Sequence, residues 1–221
     1  MLRPLLLLLL GAAWSDHALP ASVTVRVTDA GGVPLAHAVV TLSGAGLLPQ
    51  APPARAEVNQ LNTQFQPHVL IIPRHTSVAF PNLDNTRHQV YSFSAVKRFT
   101  TNLFAGHEAD PVEFDQPGLV PIGCNIHDRM HAYIYVTEAP RFAVTGADGL
   151  ARFDGLNAGD YRIEALHPWQ ARANSLIREV RVRRAGQTLE QTVNVGTIGP
   201  DPRTPRRQST NPLIRSNPLA R

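Results

Sequence analysis

The chain has 221 residues, of which 43% are hydrophobic and 17% charged, so it is long enough to hold one large or two small folded domains. The formal net charge of +4 is mild, and much of the arginine that produces it lies in the C-terminal part of the chain. No basic patch is interleaved with stacking aromatic residues, which argues against a nucleic-acid-binding protein.

The first fifteen residues predict a secretory signal peptide. Arg3 supplies a positive charge, Leu5 to Leu10 form an apolar run, and small residues precede an expected cleavage site before Asp16. The apolar run is short for a membrane span, and an uncleaved N-terminal anchor is the alternative. We therefore expect an exported protein, in the periplasm of a bacterium, with no integral membrane span after residues 1–15 are removed.

Short strand patterns separated by Pro and Gly turns recur along the rest of the chain. Val23, Val25 and Val27 alternate with polar residues, and residues 68–72 form a hydrophobic run that ends at Pro73. Strands of this length with regular turn signals are typical of β-sandwiches or barrels. The sequence therefore predicts an all-β protein.

A compact set of metal-binding side chains stands near the middle of the chain. Cys124, the only cysteine, lies in a Cys-x2-His-x2-Met pattern with His127 and Met130, and His88 follows an Asn/Asp-rich turn upstream. Two imidazoles, one thiolate and a weak axial thioether are the donors of a blue-copper electron-transfer site. A lone cysteine can also be a buried, inert thiol, so the prediction depends on the nearby His and Met. Zinc is disfavoured because structural zinc sites usually contain more than one cysteine.

Residues 55–138 resemble a cupredoxin of the short-loop, amicyanin-like kind. The resemblance is carried by Val78 to Asp84 leading to His88, by Phe114 to Gly118, and by Cys124 to Met130. It implies a Greek-key β-sandwich with one type 1 copper ion bound by His88, Cys124, His127 and Met130. Proteins of this shape are labelled methylamine-utilisation proteins by their similarity to amicyanin, but no residue pattern here indicates amine oxidation, and we expect no enzyme activity.

The ligand loop departs from the short-loop pattern. Ile126 and Asp128 replace the prolines that usually flank the loop histidine, and Asp128 and Arg129 place charge where the family often has an apolar docking patch. We therefore expect a redox partner protein to dock through charged residues near Asp128 and Arg129, with binding that weakens at high salt.

Several other polar residues near the site need an interpretation. Asn82, Asp84 and the backbone amide of Gln89 are candidates to support the ligands, although ordinary turn chemistry is an equal alternative. Four histidines near turns or strand ends are expected at the surface rather than on a metal: His68, His75, His107 and His131.

A second resemblance involves both ends of the chain. Residues 145–153 and 158–165 resemble a carboxypeptidase regulatory-like (prealbumin-type) β-sandwich, whose opening half is similar to residues 29–42. We therefore predict a discontinuous sandwich of residues 22–44 and 140–195 with the cupredoxin domain inserted. The alternative assigns 22–44 to the cupredoxin. His167-Pro168-Trp169 is expected to be a packed corner, and residues 197–221 a disordered basic tail.

Together these patterns predict an exported type 1 copper protein that carries single electrons. Two alternatives stay open: a copper-binding or copper-delivery protein without redox turnover, and a structural or interaction sandwich whose metal site is vestigial.

Overall fold

The computed structural model describes residues 20–51, 56–106, 109–170, 176–183 and 187–203. The predicted signal peptide lies outside these residues, as do His107 and residues 204–221 of the predicted tail. All regular elements of the described residues are strands, which confirms the all-β prediction. In chain order the strands are β1 Ala21–Thr28, β2 Val39–Gly44, β3 Ala56–Glu57, β4 Asn59–Leu61, β5 Gln64–Gln66, β6 Val69–Pro73, β7 Thr76–Phe80, β8 Tyr91–Phe93, β9 Arg98–Thr100, β10 Ala109–Phe114, β11 Gly118–Gly123, β12 His131–Thr137, β13 Arg141–Val144, β14 Leu150–Leu156, β15 Gly159–Leu166, β16 Leu176–Val182 and β17 Thr188–Asn194.

Two sheets combine strands from both ends of the chain. Strand β1 lies in the centre of a three-stranded sheet, antiparallel to β14 and parallel to β17. Strand β2 lies between β13 and β15 in a four-stranded sheet that β16 completes. Alternating residues such as Val23, Val25 and Val27 are fully buried between these sheets, together with Leu42 and Ile163. Strand pairing therefore joins the segments that the discontinuous arrangement combines, while the domain boundaries and the carboxypeptidase-like identity stay predictions.

The intervening part of the chain forms its own sheets and its own core. The larger sheet has the order β6-β12-β11-β8-β9, and the smaller has the order β10-β7-β3. Inward side chains of both sheets fill the space between them, among them Phe80, Phe114, Ile122 and Ile134. Burial of large apolar side chains on two facing sheets is the main favourable term for such a sandwich. Cys124 and Met130 belong to this core, so the sandwich itself places the ligand loop.

The two sets of sheets are in contact. A third apolar cluster contains Val39, Phe142 and Leu166 from the first set and Val69 and Ile71 from the second. The start of the predicted tail is held against the residues around Trp169: the Gly199 N–H donates to the Trp169 carbonyl at 2.7 Å, and Ile198 forms a β-bridge with Gln170. Across the described ranges, no helix is long and apolar enough to span a membrane.

Candidate metal centre

The ligand loop connects the adjacent antiparallel strands β11 and β12. It begins directly after Gly123 and ends before His131, the first residue of β12. The Cys124 N–H donates to the Met130 carbonyl at 3.1 Å, and the Met130 N–H donates to the His127 carbonyl at 2.9 Å. These two bonds tighten the loop, so that Cys124 and His127 face a common point.

His88 reaches this point from the loop between β7 and β8. Its backbone is fixed by a pair of hydrogen bonds with Phe104, at 2.9 Å from the His88 N–H and 3.0 Å to the His88 carbonyl. The side chain is fully buried. His68 and His167 are also buried, so what distinguishes His88 is that its ring points into a cluster of donor atoms.

Three donor atoms converge within 4.8 Å of one another: one ring nitrogen each from His88 and His127, and the sulfur of Cys124. The two Nδ1 atoms are 3.2 Å apart, and the Cys124 Sγ lies 4.0 Å from His88 Nδ1 and 3.7 Å from His127 Nδ1. Donors that share one metal ion at the usual bond lengths of about 2.0–2.3 Å are separated by about 3.2–3.7 Å. The spacing therefore fits a metal ion at the centre of the three side chains.

Met130 lies in the apolar core beside this cluster. It is fully buried and packs in the same hydrophobic cluster as Cys124. A long, weak axial thioether completes the donor set of blue-copper sites. The assignment of Met130 as the fourth ligand stays a prediction.

A carboxylate fixes the orientation of the His88 ring. Asp84 Oδ2 lies 2.8 Å from His88 Nε2, and the Asp84 side chain is itself mostly buried. Burial by itself raises the pKa of the Asp84 carboxyl, but hydrogen bonds from the Thr63 N–H, the His88 ring and the Asn62 N–H outweigh it and lower the pKa below its ordinary value. The ionised carboxylate accepts a hydrogen bond from Nε2–H, so Nε2 keeps the proton and the lone pair lies on Nδ1, the atom that faces His127 and Cys124. Carboxylate–histidine pairs of this kind set the tautomer of metal-ligating imidazoles.

The turn that supports Asp84 was not found from the sequence. Asn62 and Thr63 both have positive φ, 55° and 57°, and their N–H groups donate to Asp84 at 2.7 and 2.9 Å. Two consecutive non-glycine residues in the left-handed region are uncommon and mark a turn fixed by its surroundings. The one available signal was the presence of Asn, which tolerates this conformation.

The side chains of Asn82 and Gln89 form hydrogen bonds within the loops on either side of His88. Asn82 Oδ1 accepts the Asp84 N–H at 3.0 Å, and its Nδ2 donates to the carbonyls of Thr86 and Phe104. The Gln89 side chain donates to the Thr101 carbonyl at 2.9 Å. The side chains of Asn82 and Gln89 therefore stabilise the chain around His88, and the supporting role expected of the Gln89 backbone amide stays a prediction.

The outer side of the cluster opens to solvent. His127 is partly exposed and lines a cleft of about 620 Å³ together with Asp128, Arg129, the Asn62–Gln64 turn and Arg203. Asp128 and Arg129 are both exposed at this opening.

Four histidines were expected to lie at the surface, and their exposure in the structure differs. His75 is exposed beside Glu113, and His131 is partly exposed. His107 lies outside the described residues. The expectation is wrong for His68, which is only 5% exposed, because strands and loops distant in the sequence pack over it.

The comparisons with known proteins concern part of the chain. No protein-family model and no curated protein matches it. Among solved structures, the copper-containing nitrite reductase NirK from Thermus scotoductus SA-01 is similar at 28% identity and a TM-score of 0.37, over 40% of this chain and 23% of that chain. The Cu(I) form of an amicyanin variant is similar at 13% identity and a TM-score of 0.36, over 44% of this chain and 99% of that one. A purple cupredoxin from Nitrosopumilus maritimus is similar at 18% identity and a TM-score of 0.34, over 37% and 99%.

These neighbours are cupredoxins, and the similarity is confined to less than half of this chain. The chain spans about a quarter of the nitrite reductase, 23% of its length. The geometry of the donor cluster, rather than this limited similarity, therefore determines what the site can bind.

Proposed function

We propose that this protein is a one-electron carrier with a single type 1 copper ion bound by His88, Cys124 and His127, with Met130 as the axial ligand. One observation carries the proposal. Three donors of the required chemistry converge at metal-binding distances, and Asp84 fixes the His88 lone pair toward their centre. A buried histidine whose ring is oriented before the metal binds is expected of a centre whose geometry is set by the protein.

The surrounding residues supply what electron transfer requires. A copper ion held by these residues would supply the one-electron chemistry, as Cu(I) and Cu(II). Cys124 and Met130 are anchored in the core of the sandwich, and His88 is locked between Phe104 and Asp84, so these donors have little freedom to move. Cys124 is only 5% exposed and packs in the apolar core, so its sulfur is largely shielded from solvent. A scaffold that keeps its geometry in both oxidation states minimises the reorganisation that accompanies each electron.

The partly exposed His127 is the natural point of electron exchange with a partner protein. Asp128 and Arg129 flank it at the mouth of the cleft. We propose that a redox partner docks here through complementary charges. Raising the ionic strength, or an Arg129→Glu substitution, would then slow electron exchange without changing the absorption spectrum of the copper site.

The same proposal includes the location of the protein and its role as a carrier rather than an enzyme. The N-terminal sequence supports export to the periplasm, where a carrier would meet its partners. We also propose a carrier rather than an enzyme, because with Met130 as the fourth ligand every donor to a bound copper ion would be a protein side chain, which would leave no position for a substrate.

The test is a titration of the purified protein with Cu(II), followed by visible absorption. We expect an intense thiolate-to-copper band that saturates at one equivalent and bleaches reversibly on one-electron reduction. Cys124→Ser should abolish the band and His127→Gln should alter it, whereas His75→Gln, a matched change of an exposed histidine, should leave it unchanged.

The outcomes separate the alternatives. Stoichiometric copper binding without reversible redox cycling would favour a copper-handling protein. Failure to bind copper in a folded chain would favour a structural sandwich with a vestigial site, and either result would overturn the carrier proposal.

A further inference from the structure

A histidine at the edge of the second set of sheets is enclosed by rings from the first set. His68, just before β6, is only 5% exposed, and its ring centroid lies 5.2 Å from that of His37 and 5.7 Å from that of Trp169. His37 belongs to the turn before β2, and Trp169 follows β15. The side chain of His68 therefore lies at the contact between the two sets.

The same side chain reaches the end of the ligand loop. Its Nδ1 lies 3.1 Å from the carbonyl oxygen of His131, the residue that follows Met130 and begins β12. The Tyr133 N–H donates to the His68 carbonyl at 2.9 Å, so the side chain and the backbone of His68 both bind the start of this strand. One residue earlier, the Met130 carbonyl accepts the Cys124 N–H that closes the loop, at 3.1 Å. His68 therefore holds the strand at the point where the ligand loop ends.

The bond to the His131 carbonyl determines which nitrogen of His68 carries the proton. A carbonyl oxygen can only accept a hydrogen bond, so Nδ1 is the donor and Nε2 holds the lone pair. Burial, and then the nearby charge of Arg203, lowers the pKa of His68 to about 4, so the ring is neutral at pH 7. The bond to the ligand loop therefore requires one particular neutral tautomer.

Two buried polar atoms at this contact have no hydrogen-bond partner in the described part of the chain, the His68 Nε2 and the indole N–H of Trp169. One is an acceptor and the other a donor, and leaving either unsatisfied is costly. The Tyr133 hydroxyl also acts on the indole, but its geometry is not that of a hydrogen bond. A water molecule can accept from the indole and donate to Nε2, and buried waters typically satisfy polar groups of this kind. The two atoms therefore fit a neutral molecule that both accepts and donates.

We propose that His68 is a positioning residue that holds the end of the ligand loop through the His131 carbonyl, and that a water bound between His68 Nε2 and the Trp169 N–H keeps the required tautomer. The state of one imidazole nitrogen is set by the hydrogen bond of the other. The water donates to Nε2, so the proton stays on Nδ1 and the bond to the loop is kept. The rings of His37 and Trp169 restrict the plane of the imidazole, and the first set of sheets thereby acts on the loop.

The effect of His68 on copper rests on the proposed function, but its tautomer and its bond to the loop can be measured without metal. In ¹⁵N NMR of the metal-free full chain at neutral pH, we expect a neutral His68 with its proton on Nδ1. A crystal structure that shows ordered waters should place one within about 3.2 Å of both His68 Nε2 and the Trp169 indole nitrogen. A proton on Nε2 would overturn the positioning role, and the absence of that water would overturn the bound water.

Two substitutions separate the two nitrogens of His68. The amide nitrogen of asparagine takes the place of Nδ1 and can still donate to the His131 carbonyl, whereas the amide of glutamine takes the place of Nε2 and cannot. Hydrogen exchange of the Cys124 N–H, which donates to the Met130 carbonyl, reports whether the loop is closed. In the metal-free protein we expect this exchange to be faster in His68→Gln than in His68→Asn by about two- to tenfold, the contribution of one hydrogen bond. Circular dichroism of each variant checks folding.

The copper-loaded protein provides the functional readout. Met130 is the proposed axial ligand and precedes His131, so His68→Gln should shift the reduction potential and the thiolate-to-copper band relative to His68→Asn. His75→Gln, a matched change of an exposed histidine, should alter neither. Equal exchange of the Cys124 N–H in the two folded His68 variants would overturn the proposal. A chain that meets both metal-free expectations but binds no copper would support the loop contact and overturn only the electron carrier.

Discussion

Asp84→Asn tests the carboxylate that orients His88 while changing the side-chain volume very little. Asp84 accepts three hydrogen bonds, from His88 Nε2 at 2.8 Å, the Asn62 N–H at 2.7 Å and the Thr63 N–H at 2.9 Å. An asparagine offers one acceptor oxygen, so its amide nitrogen must face at least one of these donors. Loss of a buried, charge-assisted hydrogen bond costs about 1–3 kcal/mol, and we expect that decrease in the free energy of unfolding of the metal-free protein.

The same substitution acts on the metal site through the tautomer of His88. If the amide nitrogen faces Nε2, the ring is driven to carry its proton on Nδ1, the nitrogen directed at Cys124 and His127. Loss of such a supporting partner lowers metal affinity by about 10–100-fold. Removal of a negative charge next to the ligand also raises the reduction potential, because Cu(II) is stabilised less.

The assays are urea denaturation of the metal-free protein and Cu(II) binding in competition with a chelator. Asp154→Asn, a change of an exposed aspartate on β14, serves as the matched control and should alter neither quantity. Equal Cu(II) affinity and equal reduction potential for Asp84→Asn and wild type would refute the assigned role of Asp84, even if stability fell.

Three further predictions concern stability. Met130→Ala removes a fully buried side chain and should lower the free energy of unfolding by about 2–5 kcal/mol, whereas Met130→Leu should cost less than about 1.5 kcal/mol, as measured by urea denaturation. The folded-state pKa of His68 is lowered from 6.5 to about 4 by burial, then by Arg203 and His37, and opposed by Asp201 and the His131 carbonyl. Because the unfolded chain then takes up the proton first, His68 should not change metal-free stability above pH about 6.5, and its contribution should fall by about 1–2 kcal/mol, after allowance for solvent screening, as the pH drops from 6.5 to 4. His68→Gln should remove this part of the pH dependence and leave the part due to His37 and His167, whose pKa values burial also lowers. Gly149→Ala should cost more than about 1 kcal/mol, because Gly149 has a φ of 71° and an added Cβ would lie 2.7 Å from the Val27 carbonyl oxygen; an unchanged thermal midpoint would contradict this.

The features that could be predicted from the sequence are those determined by residues that lie close together in it. The period-two burial of β1 and the turn signals predicted the all-β fold, and the spacing from Cys124 to Met130 placed two donors within one tight loop. His88 was found because an imidazole followed a turn and preceded a strand in the order that the cupredoxin resemblance implies. Asp84 was among the support candidates, but only the structure distinguishes it from a turn residue.

The features that were missed depend on contacts between distant segments. The Asn62–Thr63 turn meets Asp84 from the other side of the site, and no local pattern indicates that its N–H groups converge on a carboxylate. His68 was expected at the surface because it borders a turn, and its burial results from Trp169 and His37, which flank it only after the ends of the chain have come together. Secondary-structure propensity and hydrophobic periodicity depend only on residues near one another in the sequence. They therefore cannot predict contacts between distant segments.

The pairing of β1 with β17 has a consequence for the order of folding. Paired residues of these strands are 166 positions apart in the sequence, and the β1 backbone lacks its parallel neighbour until nearly the whole chain has been synthesised. The core around the ligand loop, by contrast, is drawn from one continuous stretch between Ala56 and Val136. Because long-range pairings form slowly, the metal-binding half can acquire its structure while both chain ends remain extended. A chain cut short before β17 would therefore leave β1 without its parallel neighbour, although every residue of the core around the ligand loop would already be present.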